Sequence, residues 1–162
     1  MRQLPGPFGT AQGKIADLIL SSPGSIRTVP VPIASAVVAY VALAPHASDE
    51  DIELVTRMAL DCGHRARAGC SAAMSRMKLL SKLDALDVPA IGVAGELDRL
   101  TPVAHAERID ENLPHSLGLR VSPTSGHTTP IECPELVNVA LRDLAESSGG
   151  GKLASREREL TA

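Results

Sequence analysis

The sequence predicts an α/β fold, and three observations in its second half carry that prediction. Residues 90–94, Ala-Ile-Gly-Val-Ala, form a short apolar run between Pro89 and Gly95, which is typical of a strand covered on both faces. Residues 117–121 predict a second strand, and an amphipathic segment follows each run. The order strand, helix, strand, helix favours parallel pairing of the two strands with a right-handed crossover.

The two helices of this half have recognisable starts. Thr101 and Pro102 predict a helix with threonine as its N-cap and proline at its first position. Pro134 predicts the start of a last helix, and the Ser/Gly-rich and then charged segment 147–162 predicts a disordered tail. The expected buried stripes are Val103, Ala106, Ile109 and Leu113 for the first helix, and Leu136, Val137, Ala140, Leu141 and Leu144 for the second.

The first half is predicted to be helical. Ser48 is a suitable N-cap with Asp51 as its capping-box partner, and apolar residues at helical spacing follow it. Residues 33–44 are apolar on almost every side, which indicates burial or a lid surface. The helices are expected over residues 12–21, 33–44, 49–61 and 65–82, the last with Cys70, Met74, Met77 and Leu80 on its apolar side.

Composition excludes several classes of function. A formal net charge of −3 without a basic block argues against a nucleic-acid partner. The most apolar run, residues 31–44, is shorter than the roughly 20 residues of a membrane span. Three cysteines without a signal peptide predict free thiols and a cytoplasmic protein. Only Phe8 and Tyr40 are aromatic, so we expect an aliphatic core of modest stability.

Two segments resemble the C-terminal end of the α/β-hydrolase fold family. Residues 88–102 read Val-Pro-Ala-Ile-Gly-Val-Ala-Gly-Glu-Leu-Asp-Arg-Leu-Thr-Pro, and residues 125–135 read Ser-Gly-His-Thr-Thr-Pro-Ile-Glu-Cys-Pro-Glu. The resemblance implies that Asp98 and His127 are the acid and the histidine of a catalytic triad. It also implies a C-terminal portion of that fold, with two parallel strands and flanking helices, preceded by a lid-like helical region.

The resemblance divides the chain into three parts. Residues 1–82 would be the lid-like region, residues 83–146 the C-terminal hydrolase segment, and residues 147–162 the tail. The substrate implied for full-length relatives is a small ester, a lipid or a related compound.

The residues themselves support the same pairing on physical grounds. Asp98 follows the first predicted strand and His127 follows the second. Parallel strands bring their carboxyl ends to one sheet edge, where a carboxylate can orient an imidazole as a general base. The competing interpretations are that Asp98 forms a turn or that Glu96 is the acid. The other four histidines, His46, His64, His105 and His115, are expected on the surface without partners.

The nucleophile of such a triad is missing from the sequence. No Gly-x-Ser-x-Gly elbow occurs, and the nearest imitation, Gly69-Cys70-Ser71, lies within a predicted helix. Cys62 and His64 with Cys70 lack the paired spacing of a structural zinc site, so we expect neither metal nor cofactor.

Three hypotheses about function follow. The first is a truncated α/β-hydrolase that is inactive alone, with its nucleophile in an N-terminal half on another chain or lost. The second is a non-catalytic remnant or interaction module that self-associates through an open sheet edge. The third is an active enzyme with Cys70 or Ser71 as an unconventional nucleophile.

Overall fold

The computed structural model describes residues 29–74 and 76–147, and the elements below belong to these residues. The predicted helix over residues 12–21 and residues 148–162 of the predicted tail lie outside them, whereas Ser147 ends the last helix. In chain order the elements are α1 (Val31–Ala42), α2 (Asp49–Asp61), α3 (His64–Met74), a 3-10 helix (Leu80–Ala85), β1 (Ala90–Gly95), α4 (Val103–Asp110), β2 (Ser116–Ser122), α5 (Thr129–Glu132) and α6 (Pro134–Ser147).

The two predicted strands form, and they pair in parallel. Gly92 of β1 lies opposite Leu119 of β2, and Gly95 lies opposite Ser122, so both strands end at the same edge. Helices α4 and α6 each contact both strands. The α/β class, the strands and the parallel pairing predicted from the sequence are therefore confirmed.

The coverage predicted for β1 is wrong. Residues 90–94 are only half-buried, and Gly95 alone in this strand is buried. In the described part of the chain the sheet has two strands, so each strand has one edge without a neighbour and its side chains are only partly covered.

Helix α2 matches its prediction from Asp49 to Asp61. The Ser48 hydroxyl accepts the Asp51 N–H at 3.1 Å, as the capping pattern predicts. The Asp51 carboxylate accepts the Ser48 hydroxyl at 2.7 Å instead of the Ser48 N–H of a full capping box. Helix α1 begins and ends two residues earlier than predicted, and its end is set where Leu43 adopts extended backbone angles after Ala42. It packs against α2.

The long helix predicted over residues 65–82 is wrong. Helix α3 ends at Met74, the chain turns, and a 3-10 helix begins at Leu80. Cys70, Met74 and Met77 are exposed, whereas Arg67 and Ser71 are buried. The helical spacing of apolar residues over 65–82 did not produce one long helix, because most of the stability of a helix comes from packing its apolar side against another surface.

Two smaller predictions for the helices near the sheet also differ. Helix α4 ends at Asp110, so Leu113 lies in the turn beyond it, and Ile109 is 46 % exposed. Of the stripe predicted for α6, Ala140 is buried and Leu141 is 57 % exposed, because only one side of this helix meets the two strands. Helix α5 was not predicted.

The most deeply buried residues lie where the loops after β1 and β2 meet the end of α1. Leu43 and Ala44 are buried there, as are Ser122 and Ser125 beside the carboxyl end of the sheet. The buried apolar side chains in the described ranges are aliphatic and few, which confirms the expected aliphatic core: Ala34, Leu43, Ala44 and Ala140. None of the described helices is both long and apolar enough to cross a membrane.

Candidate active site

The loops that follow β1 and β2 are joined by backbone hydrogen bonds. The Glu96 N–H donates to the Ser122 carbonyl at 2.8 Å, and the Leu97 N–H donates to the Ser125 carbonyl at 3.0 Å. The first bond closes the end of the parallel ladder, and the second joins the two loops just beyond it. These bonds hold Asp98, which follows β1, next to the loop that carries His127.

Asp98 is a buried carboxylate with several donors. Its side chain is 8 % exposed. Its Oδ1 accepts the N–H groups of Leu100 at 2.8 Å and Thr101 at 2.9 Å, and its Oδ2 accepts the Thr101 hydroxyl at 2.7 Å. Burial acts to raise the pKa of Asp98, but the hydrogen bonds from His127 and Thr101 outweigh it and hold this pKa below the usual value.

His127 is a further partner of the Asp98 carboxylate. Its Nδ1 lies 2.9 Å from Asp98 Oδ2, while its side chain stays 41 % exposed. An ionised carboxylate accepts, so the Nδ1 carries the proton and the Nε2 of the neutral ring is left as the basic atom. The hydrogen bond to Asp98 raises the pKa of His127 against the opposing effect of burial, and the charges of Asp98 and Glu132 add to this rise.

Thr101 has a role that the sequence reading missed. It was predicted as the N-cap of the following helix, but the cap position of α4 is Pro102, without a side-chain bond. The Thr101 hydroxyl instead donates to Asp98 and lies 3.3 Å from His127 Nδ1. The available signal was a threonine three residues after an aspartate in a loop, a spacing at which aspartate side chains bind nearby N–H groups.

Two glycines permit the close approach of these loops. A Cβ on Gly95 would lie 2.2 Å from the Gly126 carbonyl oxygen and 2.4 Å from that of Ser125. A Cβ on Gly126 would lie 2.8 Å from the Ala44 nitrogen. The end of β1, the His127 loop and the end of α1 are therefore packed backbone against backbone.

The end of α1 also contacts the loop after β1. The Arg99 guanidinium donates to the Tyr40 carbonyl at 2.7 Å and lies 4.8 Å from the centre of the Tyr40 ring. The last carbonyls of a helix have no partner within the helix. Arg99 supplies one for α1.

A cavity of about 380 Å³ opens beside the pair. Asp98, Thr101, His105 and His127 line it together with apolar residues of β1, α4 and α6. A larger cavity of about 460 Å³ lies between α1 and α2, but neither Asp98 nor His127 lines it. The chemistry therefore favours the smaller cavity as the site.

The other residues considered as the acid or the nucleophile do not line this cavity. Glu96 is exposed and does not line the cavity. Cys70 and Ser71 both lie in α3, with Cys70 exposed and Ser71 buried. Within residues 29–74 and 76–147, no three or more His, Cys, Asp or Glu side chains are grouped as a metal site requires.

The expectation for the remaining histidines is partly wrong. His115 has a partner, because its Nε2 lies 2.9 Å from the exposed Asp87 carboxylate. The two residues are brought together by the hydrogen bond from the Ala90 N–H to the His115 carbonyl at 3.1 Å, a tertiary contact that the sequence did not show. His105 lines the cavity beside Asp98 and His127, whereas it was expected at an open surface position.

Comparison with solved structures identifies the fold. The chain is similar to a thermophilic esterase from Thermogutta terrifontis solved with malate bound, at 21 % identity and a TM-score of 0.66, covering 85 % of this chain and 51 % of the esterase. It is also similar to an esterase from Exiguobacterium antarcticum (18 % identity, TM-score 0.67, 85 % and 49 % covered). A third match is an enol-lactonase from Burkholderia xenovorans LB400, at 16 % identity and a TM-score of 0.64, covering 82 % of this chain and 49 % of the lactonase.

These matches establish the fold and the extent of the chain within it. The chain has the α/β-hydrolase fold, as the two segments around Asp98 and His127 indicated. It spans about half the length of the solved structures it matches, consistent with a C-terminal portion. No family model and no curated protein sequence matches the chain.

Proposed function

We propose that this chain carries the acid and the base of a hydrolase site for small esters, lipids or related acyl compounds. The observation that carries the proposal is the 2.9 Å hydrogen bond between Asp98 Oδ2 and His127 Nδ1 at the carboxyl edge of the sheet. The adjoining cavity gives the pair a place for substrate, and the structural neighbours include esterases and an enol-lactonase.

In the proposed reaction His127 acts as a general base. Its Nε2 accepts the proton of the nucleophile's hydroxyl group as that oxygen attacks the ester carbonyl. The resulting imidazolium is stabilised by the buried Asp98 carboxylate and returns the proton to the departing alcohol. Water then releases the acyl group by the same sequence of proton transfers.

We further propose that the nucleophile lies outside these 162 residues, so that the chain is inactive alone. The sequence has no Gly-x-Ser-x-Gly elbow. Without a nucleophile and an oxyanion hole, an Asp–His pair lacks the largest contributions to acyl transfer. In this proposal residues 1–82 act as a lid-like region, and the end of α1 near the His127 loop supports that assignment.

The proposal is tested by the nucleotide sequence upstream of Met1. We expect a frame encoding strands and a Gly-x-Ser-x-Gly elbow, fused or shifted relative to this one. The joined protein should hydrolyse p-nitrophenyl esters, and His127→Ala should reduce kcat by at least about 10³-fold. A joined protein that is indifferent to His127→Ala contradicts the proposal, and an upstream region without an elbow favours the second candidate below.

A second candidate is a non-catalytic module that associates with copies of itself. It is favoured by the half-buried strand β1 and by a sheet that, in the part of the chain described, leaves both outer edges unpaired. Sedimentation should then show oligomers that grow with concentration. Val121→Lys on β2 should reduce them more than Leu141→Lys on α6, and a monomer at every concentration contradicts this candidate.

A further inference from the structure

The C-terminal end of α1 is bonded directly to the chain around His127. The His127 N–H donates to the Ala42 carbonyl at 3.1 Å, and the Thr128 hydroxyl lies 3.4 Å from the same oxygen. Ala42 is the last residue of α1, so its carbonyl has no partner inside the helix. The backbone of the histidine is thus fixed to a helix 85 positions earlier in the sequence.

Glu132 connects the same two segments through its carboxylate. One oxygen accepts the Ala44 N–H at 2.6 Å. The other accepts the Gly126 N–H at 2.9 Å and the Thr128 hydroxyl at 3.1 Å. Hydrogen bonds to an ionised acceptor are about twice as strong as neutral ones, so one side chain contributes three strong contacts.

The donors to Glu132 lie on both sides of His127 in the sequence and at the end of α1. Gly126 and Thr128 are the residues immediately before and after His127. The third donor, Ala44, is 97 % buried beside them. Glu132 forms none of the ion pairs found among the described residues, and these N–H and O–H groups are the hydrogen-bond donors to its carboxylate.

We propose that Glu132 is a positioning residue, which fixes the His127 loop against the end of α1 and so orients the imidazole toward Asp98. The inference rests on the proposed function only for its catalytic meaning, because the orientation itself is measurable without a nucleophile. The close packing of Gly126 against Ala44 supports it, since the loop has no free space in which to shift toward α1.

The test compares three substitutions in the full 162-residue chain. Glu132→Gln removes the charge and leaves one acceptor oxygen, so it cannot receive both Ala44 and Gly126. Glu132→Asp keeps the charge but shortens the side chain by one methylene group. Glu135→Gln is the matched control, because Glu135 lies three residues away, is exposed, and forms no side-chain hydrogen bond or ion pair within the described residues.

Two NMR measurements give the result. We expect Glu132→Gln and Glu132→Asp to speed amide hydrogen exchange at Ala44 and Gly126 by at least about 10-fold, as the loss of a stabilising bond of order 1.4 kcal/mol predicts. Both should also lower the pKa of His127, whereas Glu135→Gln should leave exchange and titration as in the wild type. Glu132→Asp with wild-type exchange and titration would show that Glu132 acts by charge alone, which overturns the proposal.

A fourth variant keeps the proposal testable if a substitution at Glu132 prevents folding. If thermal scans show that Glu132→Gln does not fold, Thr128→Val removes a single bond to the carboxylate and tests the same contact. It should speed exchange at Gly126 and shift the His127 titration in the same direction by less. Unchanged exchange and titration in Thr128→Val overturn the proposal. Failure of the hydrolase assignment would leave these measurements unaffected, so the two outcomes are distinguishable.

Discussion

Gly95→Ala should destabilise the protein and separate the Asp98–His127 pair. The added Cβ would lie 2.2 Å from the Gly126 carbonyl oxygen, whereas real Cβ atoms keep at least 3.0 Å, so the backbones must part by about 0.8 Å. Overpacking of this kind costs about 1–3 kcal/mol. If His127 moved away along its bond to Asp98 by that amount, the 2.9 Å bond would lengthen to roughly 3.7 Å, beyond hydrogen-bond range.

Denaturant unfolding and the NMR titration of His127 measure the two effects. Gly69→Ala is the control, because a Cβ there meets nothing within 4 Å and the residue lies inside α3. It should stabilise the protein by about 0.5–1 kcal/mol, as alanine does in a helix. The reasoning is refuted if Gly95→Ala unfolds within about 0.5 kcal/mol of the wild type and keeps its His127 titration.

Three further predictions concern the same loops. Asp98→Asn should lower the pKa of His127 in an NMR titration, because a neutral amide replaces the charged carboxylate that raises this pKa; an unchanged midpoint contradicts the pairing. Since the folded pKa of His127 is raised, its stabilising contribution is complete below the ordinary value of about 6.5 and is lost as the pH rises through the folded pKa. The difference in unfolding free energy between wild type and His127→Gln should therefore shrink over that window. Arg99→Ala should cost about 0.5–1 kcal/mol in denaturant unfolding through lost contacts to Tyr40, while Arg142→Ala on the exposed face of α6 should cost less than about 0.5 kcal/mol.

The sequence predicted the features that depend on local chemistry. The capped helix α2, the strands β1 and β2 and the positions of Asp98 and His127 after the strands follow from short patterns. These patterns were sufficient because turn residues and apolar runs act over a few positions. The structure then brings Asp98 and His127 within hydrogen-bond range.

Other features depend on contacts between distant segments, and the sequence did not reveal them. Thr101 has the chemistry of a helix cap, and only the tertiary position of Asp98 and His127 gives its hydroxyl another partner. No local pattern identifies the partners of Glu132, because one of them, Ala44, lies 88 positions away in the sequence. Helix α3 is shorter than predicted because its apolar stripe has no receiving surface.

A serine-directed fluorophosphonate probe, applied to the 162-residue chain alone, tests the central claim most directly. The claim is that Asp98 and His127 form the acid and base of a site whose nucleophile lies elsewhere. It predicts no labelling that depends on His127, so wild type and His127→Ala should behave alike. Labelling of the wild-type chain that is lost in His127→Ala would contradict it, because the nucleophile would then lie within these residues.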